Sequence, residues 1–143
     1  MHLTSPDLAP GAAIPKPFTA DGADRSPALA WQGAPEGTRA FALIVDDPDA
    51  PAGVWVHWVV YDLPGQARTG TLAAGGRQGS NSWSQLGWNG PSPPPGRPHR
   101  YVFKLFALGG PLGLAPGATA QAVTAAMQGR ILAEASLTAT YGR

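Results

Sequence analysis

Two short segments gather most of the residues able to do chemistry. The first is Asp47-Pro48-Asp49-Ala50-Pro51, followed by His57-Trp58. The second is Gly90-Pro91-Ser92-Pro93-Pro94-Pro95-Gly96, followed by His99-Arg100-Tyr101. They hold two of the chain's three histidines; the other, His2, sits beside the start, where chains commonly fray. A histidine on an apolar strand is ordinarily a satisfied core residue. Two of them on separate strands, each next to a proline-rich loop, point instead to one polar pocket. Such a pocket holds donors: His57 and His99 can supply ring N–H groups and Tyr101 a hydroxyl. Gly90 lets the backbone come close to a ligand, and the prolines shape walls without donating. Asp47 is the awkward member, because it accepts and does not donate. Either it accepts a hydrogen bond from His57 or His99 and fixes that ring's tautomer, or it meets a protonated ligand oxygen or an amine. Asp49 reads as a turn cap or an ion-pair partner of Arg100.

The elements that must position these groups are strands. Phe41 to Val45 is a continuous apolar run of the kind buried on both faces, ending at Asp46-Asp47-Pro48. Val54 to Tyr61 is the next strand, and simple alternation groups Trp55, His57, Val59 and Tyr61 on one face. Arg100 to Leu108 is a third, with His99 sharing the parity of Tyr101. Residues 1 to 28 read as mostly irregular, with Ile14 to Phe18 a short edge strand and Leu29 to Trp31 another strand. Pro64 to Pro98 reads as a long structureless and therefore functional segment, in which Trp83 or Trp88 could flank the pocket; Trp55 and Trp58 read as core or rim. Thr119 is a plausible N-cap for a short helix over Ala120 to Gln128, with Val123, Ala126 and Met127 inward. Gly129 breaks or kinks that helix, Ile131 to Ala135 read as its continuation, and Leu137 to Tyr141 as a last strand.

Size and composition narrow the classes. The 143 residues form a single domain with a sizeable core. No cysteine is present, which fits a reducing compartment. The start has no basic and apolar leader pattern and no run approaches bilayer length, so a cytoplasmic protein is expected. A net charge of +1, with ten scattered Lys and Arg, argues against a nucleic-acid partner. No basic amphipathic helix suggests stable membrane insertion. The 19 glycines and 16 prolines lie between strongly apolar segments, as loops do on a β-rich fold.

With these residues in view, the chain resembles the phosphatidylethanolamine-binding protein family. The two segments above, including Tyr101-x-Phe103, look like its signature segments. Asp21-Gly22, Ser26-Pro27, Leu29-x-Trp31, Ala126-Met127, Ile131-Leu132-Ala133-Glu134-Ala135 and Tyr141-x-Arg143 look like its bacterial Raf-kinase-inhibitor-like branch. The resemblance implies a mainly β fold, a large antiparallel sheet packed on a smaller one with a few helices. It implies an anion pocket lined by Asp47, Pro51, His57, Gly90, Pro93, Pro94, His99 and Tyr101, with Asp49 and Arg100 structural beside it. It also implies a non-enzymatic binder of a phosphate-like anion or phosphorylated small molecule, without cofactor or metal, a kinase or protease as protein partner, and a homodimer, to which the five tryptophans would contribute. Two departures stand out. The loop from Pro94 to His99 is one residue shorter than in animal members, and Ala20 stands where many bacterial relatives carry a cysteine. The competing reading is a hydrolase, metal-dependent or acid/base, using Asp47, His57 and His99; no cysteine nucleophile or serine elbow supports it.

Overall fold

Strand β3 (Ala40–Asp47) is buried at every residue, as its unbroken apolar run requires of a strand covered on both faces. In the computed structural model, which describes residues 1–64, 70–71 and 75–143, it is the middle strand of a five-stranded antiparallel sheet. Strands β4 (Trp55–Pro64) and β7 (His99–Leu108) flank it. The short β6 (Arg77–Gln78) and the long β8 (Ile131–Tyr141) form the two sides, in the order β6-β4-β3-β7-β8. A second sheet of three short strands, β1 (His2–Thr4), β2 (Ala30–Gln32) and β5 (Gly70–Thr71), has the order β1-β2-β5.

The two faces of the large sheet bury separate cores. One face carries Phe41, Leu43, Val45, Trp58, Val60, Tyr101, Phe103 and Leu105, and packs against Leu3, Ile14, Phe18, Leu29 and Trp31. Trp31 of β2 lies 5.0 Å from Phe41 of β3, centroid to centroid, joining the small sheet to the large one. The other face carries Ala42, Ile44, Val59 and Tyr61 under helix α1 (Ala120–Met127), which contributes Val123 and Met127. Each fully buried side chain of this size contributes roughly 1.5–3 kcal/mol of hydrophobic stabilisation. Thr119 caps α1 by accepting from the Ala122 amide at 3.1 Å. Ala126 is only half-buried, so the inward stripe is narrower than the spacing suggests.

Three local expectations are corrected. Ile14 to Phe18 is not a strand: Lys16–Phe18 is a turn of 3-10 helix with proline in its first turn, and Ile14 docks by donating its amide to the Thr140 carbonyl at 2.7 Å. Pro64 to Pro98 contains β5 and β6 rather than no structure, although 65–69 and 72–74 lie outside the described residues. Ile131 to Ala135 does not continue the helix. Gly129 stops α1 at φ +78°, and the chain from Ile131 to Tyr141 pairs with β7, from Leu108 back to His99, with one register shift that skips Leu132. The alanines there favour a helix in isolation, and the open edge of β7 overrides that preference.

Candidate functional site

Alternation along β3 and β7 builds half of the site. Asp47 follows Phe41, Leu43 and Val45 on one face, and His99 and Tyr101 precede Phe103 and Leu105 on the same face, in a register that pairs Val45 with Phe103. Strand β4 supplies the other half through a break in its alternation. Val45 pairs with Trp58, but Asp46 pairs with Val56, so His57 is an extra residue with no partner on β3. This β-bulge turns the side chain. Simple alternation placed His57 with Val59 and Tyr61; those two pack under α1, whereas the His57 ring stands edge-on to Tyr101, 5.2 Å between centroids.

Asp47, Pro51, His57, Pro93, Pro94, His99 and Tyr101 therefore line one open cavity of about 400 Å³. Ala50, Ala52, Trp55, Trp83 and Ser92 complete it. Both rings are held by Nδ1. His99 Nδ1 donates to Asp47 Oδ2 at 2.7 Å, and His57 Nδ1 donates to the Asn89 carbonyl at 2.5 Å. Asp47 is therefore the tautomer-fixing partner of His99, and its other oxygen accepts the Asp49 amide at 2.8 Å. With Nδ1 as the donor, each neutral ring keeps its lone pair on Nε2. Burial pushes the His57 pKa down, against the pull of the Asn89 carbonyl and the Asp47 charge. Burial also pushes the Tyr101 phenol up, with the Asp47 charge adding to it, so its hydroxyl stays protonated. The arrangement can accept or, once a ring is protonated, donate hydrogen bonds to a small oxyanion. The tryptophans close one side, with Trp83 5.0 Å from His57 and 5.5 Å from Trp55.

Asp49 and Arg100 lie outside the lining and pair with each other. Arg100 Nη2 and Nε donate to the two carboxylate oxygens at 2.8 and 3.0 Å, and the Arg100 amide adds a third bond at 2.9 Å. This fork holds the Asp49 carboxyl well below the usual carboxylate range. Gly90 is a correction. It does not line the cavity; a Cβ there would sit 2.3 Å from Asp24 Oδ1 and 2.6 Å from the Phe18 carbonyl, so its close approach is to the Phe18–Asp24 loop. Trp58 and Trp88 are core aromatics, Trp88 lying 5.9 Å from Phe103.

Sequence reasoning missed Asn81 and Asn89. Asn81, 5% exposed, accepts the Trp83 and Gln85 amides and donates to the Gly87 carbonyl and Asn89 side chain, which folds the loop that carries Trp83 to the cavity. Asn89 brackets His57 with main-chain atoms alone, its amide donating to the His57 carbonyl at 3.2 Å. A cluster of Asn, Ser and Gly signals a loop, but nothing in it marks a peptide that orients a ring.

The comparisons agree with this architecture. Residues 4–142 match the family model described as phosphatidylethanolamine-binding protein. The chain is 45% identical to the UPF0098 protein of Aquifex aeolicus, covering 100% of this chain and 89% of that one. It is 43% identical to a Mycobacterium tuberculosis protein carrying the name of a lipoprotein, LppC, covering 91% of this chain and 68% of that one. Among solved structures, a phosphatidylethanolamine-binding protein homologue, CT736 of Chlamydia trachomatis, superimposes with a TM-score of 0.91 at 35% identity, over 99% of this chain and 97% of that one. E. coli YBCL superimposes at 0.90 and 30% identity, over 99% and 98%. Among the described residues, no helix is long and apolar enough to cross a membrane. By sequence, by fold and by the convergence of its two signature segments, this chain belongs to the phosphatidylethanolamine-binding protein family.

Proposed function

We propose that the cavity binds the phosphoryl group of a small ligand, without chemistry on it, and takes up a proton as it does so. The observation that carries this is the double Nδ1 lock. Because both rings already donate through Nδ1, neutral His57 and His99 offer lone pairs, which repel a fully ionised phosphate. The nearby arginines do not compensate, since Arg100 is paired with Asp49 and Arg143 with Asp21. A proton on Nε2 turns an acceptor into a donor, and a monoprotonated phosphate can bring that hydrogen itself. The Asp47 carboxylate, a poor neighbour for the anion, is a good partner for a protonated His99.

The test is an NMR titration with inorganic phosphate, following the His57 and His99 ring signals at several pH values. Affinity rises as the pH falls through the histidine range, near ~6.5 for an unperturbed ring. Equal affinity at every pH, or ring signals that ignore phosphate, would refute the reading.

The hydrolase reading draws on one observation: the Asp47–His99 pair has the form of a base with its orienting carboxylate. Among the described residues no three His, Cys, Asp or Glu side chains are grouped to hold a metal ion. Steady turnover of an aryl phosphate ester, lost in His99→Ala, would move the conclusion to a hydrolase.

A further inference from the structure

One wall of the cavity, Ser92 to Pro94, belongs to no strand or helix. Pro93 and Pro94 have no amide hydrogen, so at these two residues the wall can be held only through carbonyls. Among the described residues, four hydrogen bonds hold the loop. The Gly90 amide donates to Asp24 Oδ1 at 2.9 Å, and the Ala20 amide to the Pro91 carbonyl at 3.0 Å. Arg143 Nη1 donates to the Pro93 carbonyl at 3.1 Å, and the Gly96 amide to the Arg143 carbonyl at 3.2 Å. The third of these reaches a lining residue from a side chain.

Arg143 is itself fixed. Its Nη2 and Nε donate to the two oxygens of Asp21 at 2.7 and 3.1 Å, and the Tyr141 hydroxyl donates to the same carboxylate at 2.6 Å. The guanidinium thus spans two acceptors that are far apart in sequence, with Asp21 at its Nε–Nη2 edge and the Pro93 carbonyl at Nη1. We propose that Arg143 is a positioning residue for the cavity: anchored by Asp21 and Tyr141, it holds the Pro93 wall at the distance from His99 and Tyr101 that an oxyanion needs. The guanidinium and Tyr141 hold the Asp21 carboxyl down at about 2, so the anchor stays ionised wherever binding is measured. A planar fork serves both acceptors at once, which the single ammonium of a lysine cannot do.

The affinity arm of the test rests on the anion-binding reading; the exchange arm does not. Arg143→Ala and Arg143→Lys are compared with the unaltered chain by amide hydrogen exchange without ligand, by thermal melting, and by titration with inorganic phosphate at about pH 6, just below the ordinary histidine value. In Arg143→Ala, the Ala20 and Gly96 amides exchange faster while the large sheet keeps its protection. Phosphate binds about tenfold more weakly, the loss typical of removing a group that orients a site. Lysine restores neither. Unchanged exchange in Arg143→Ala would overturn the proposal, as would full rescue by lysine, which would make the effect one of charge alone. If the unaltered chain ignores phosphate while Arg143→Ala still loosens the two amides, the anion reading falls and the positioning role stands. Should the alanine variant fail to fold, Asp21→Asn removes the anchor and carries the same exchange arm.

Discussion

Asp47→Asn separates the two jobs of the buried carboxylate. Asp47 is 4% exposed; Oδ2 accepts from His99 Nδ1 at 2.7 Å and Oδ1 accepts the Asp49 amide at 2.8 Å. Asparagine keeps one oxygen and replaces the other with a donor. If the oxygen stays with His99, the new NH₂ faces the Asp49 N–H and two donors collide. If the oxygen stays with the Asp49 amide, the NH₂ donates to His99 Nδ1, and the ring must carry its proton on Nε2. The second arrangement satisfies every group, so the tautomer flips. The cost is the exchange of a charge-assisted hydrogen bond for a neutral one, about 1–2 kcal/mol. For a domain of this size that lowers the melting midpoint by about 3–7 °C. Binding changes in kind as well: His99 now donates through Nε2 without taking up a proton. The pH dependence of phosphate affinity becomes shallower than in the unaltered chain. Nitrogen-15 spectra of the ring report the tautomer, and phosphate titrations between about pH 5.5 and pH 8, on either side of the histidine range, report the slope. A variant that keeps Nδ1–H on His99 and the same slope would refute the reasoning.

Three further predictions concern stability. Burial holds the His57 pKa below its ordinary value, so as the pH falls the unfolded chain takes up the proton first; the stabilisation is complete above ~6.5 and is lost as the pH drops from there toward the folded value, and urea midpoints across that window should fall less in His57→Gln. Gly90→Ala places a methyl 2.3 Å from Asp24 Oδ1 and 2.6 Å from the Phe18 carbonyl; the overpacking costs about 1–3 kcal/mol, read by denaturant unfolding. Thr119→Ala removes the cap on the Ala122 amide and costs about 1 kcal/mol, with helix α1 losing amide protection before the sheet does.

The parts of this molecule that were legible in the sequence are those set by local pattern. The apolar run at Phe41 to Val45 announced the middle strand, the shared parity of His99 and Tyr101 put both on the cavity face, and Thr119 marked the start of α1. The parts that were not legible depend on distant partners. Ile131 to Ala135 reads as helix until the open edge of β7 is known. Gly90 looks like a place for a ligand to approach, but the neighbour that needs the space is the loop at Phe18. The choice between His57 and His99 as the partner of Asp47 turned on which strand end lies against which. The Asn89 contribution is a peptide group, and a peptide group is common to every residue type.

The bulge in β4 makes the cavity depend on a count as well as on an inventory. His57 faces Tyr101 because β4 has one more residue than β3 between the pairs Val45–Trp58 and Asp46–Val56. Remove Val56, and regular alternation returns, with His57 opposite Asp46 on the face away from Tyr101. The cavity could then lose a ring while each remaining side chain kept its identity, and a chain with every signature residue in order would have a site that no longer closes. The spacing across this stretch is therefore a second code, and two chains that agree letter by letter in their motifs can differ in function by a single step of length.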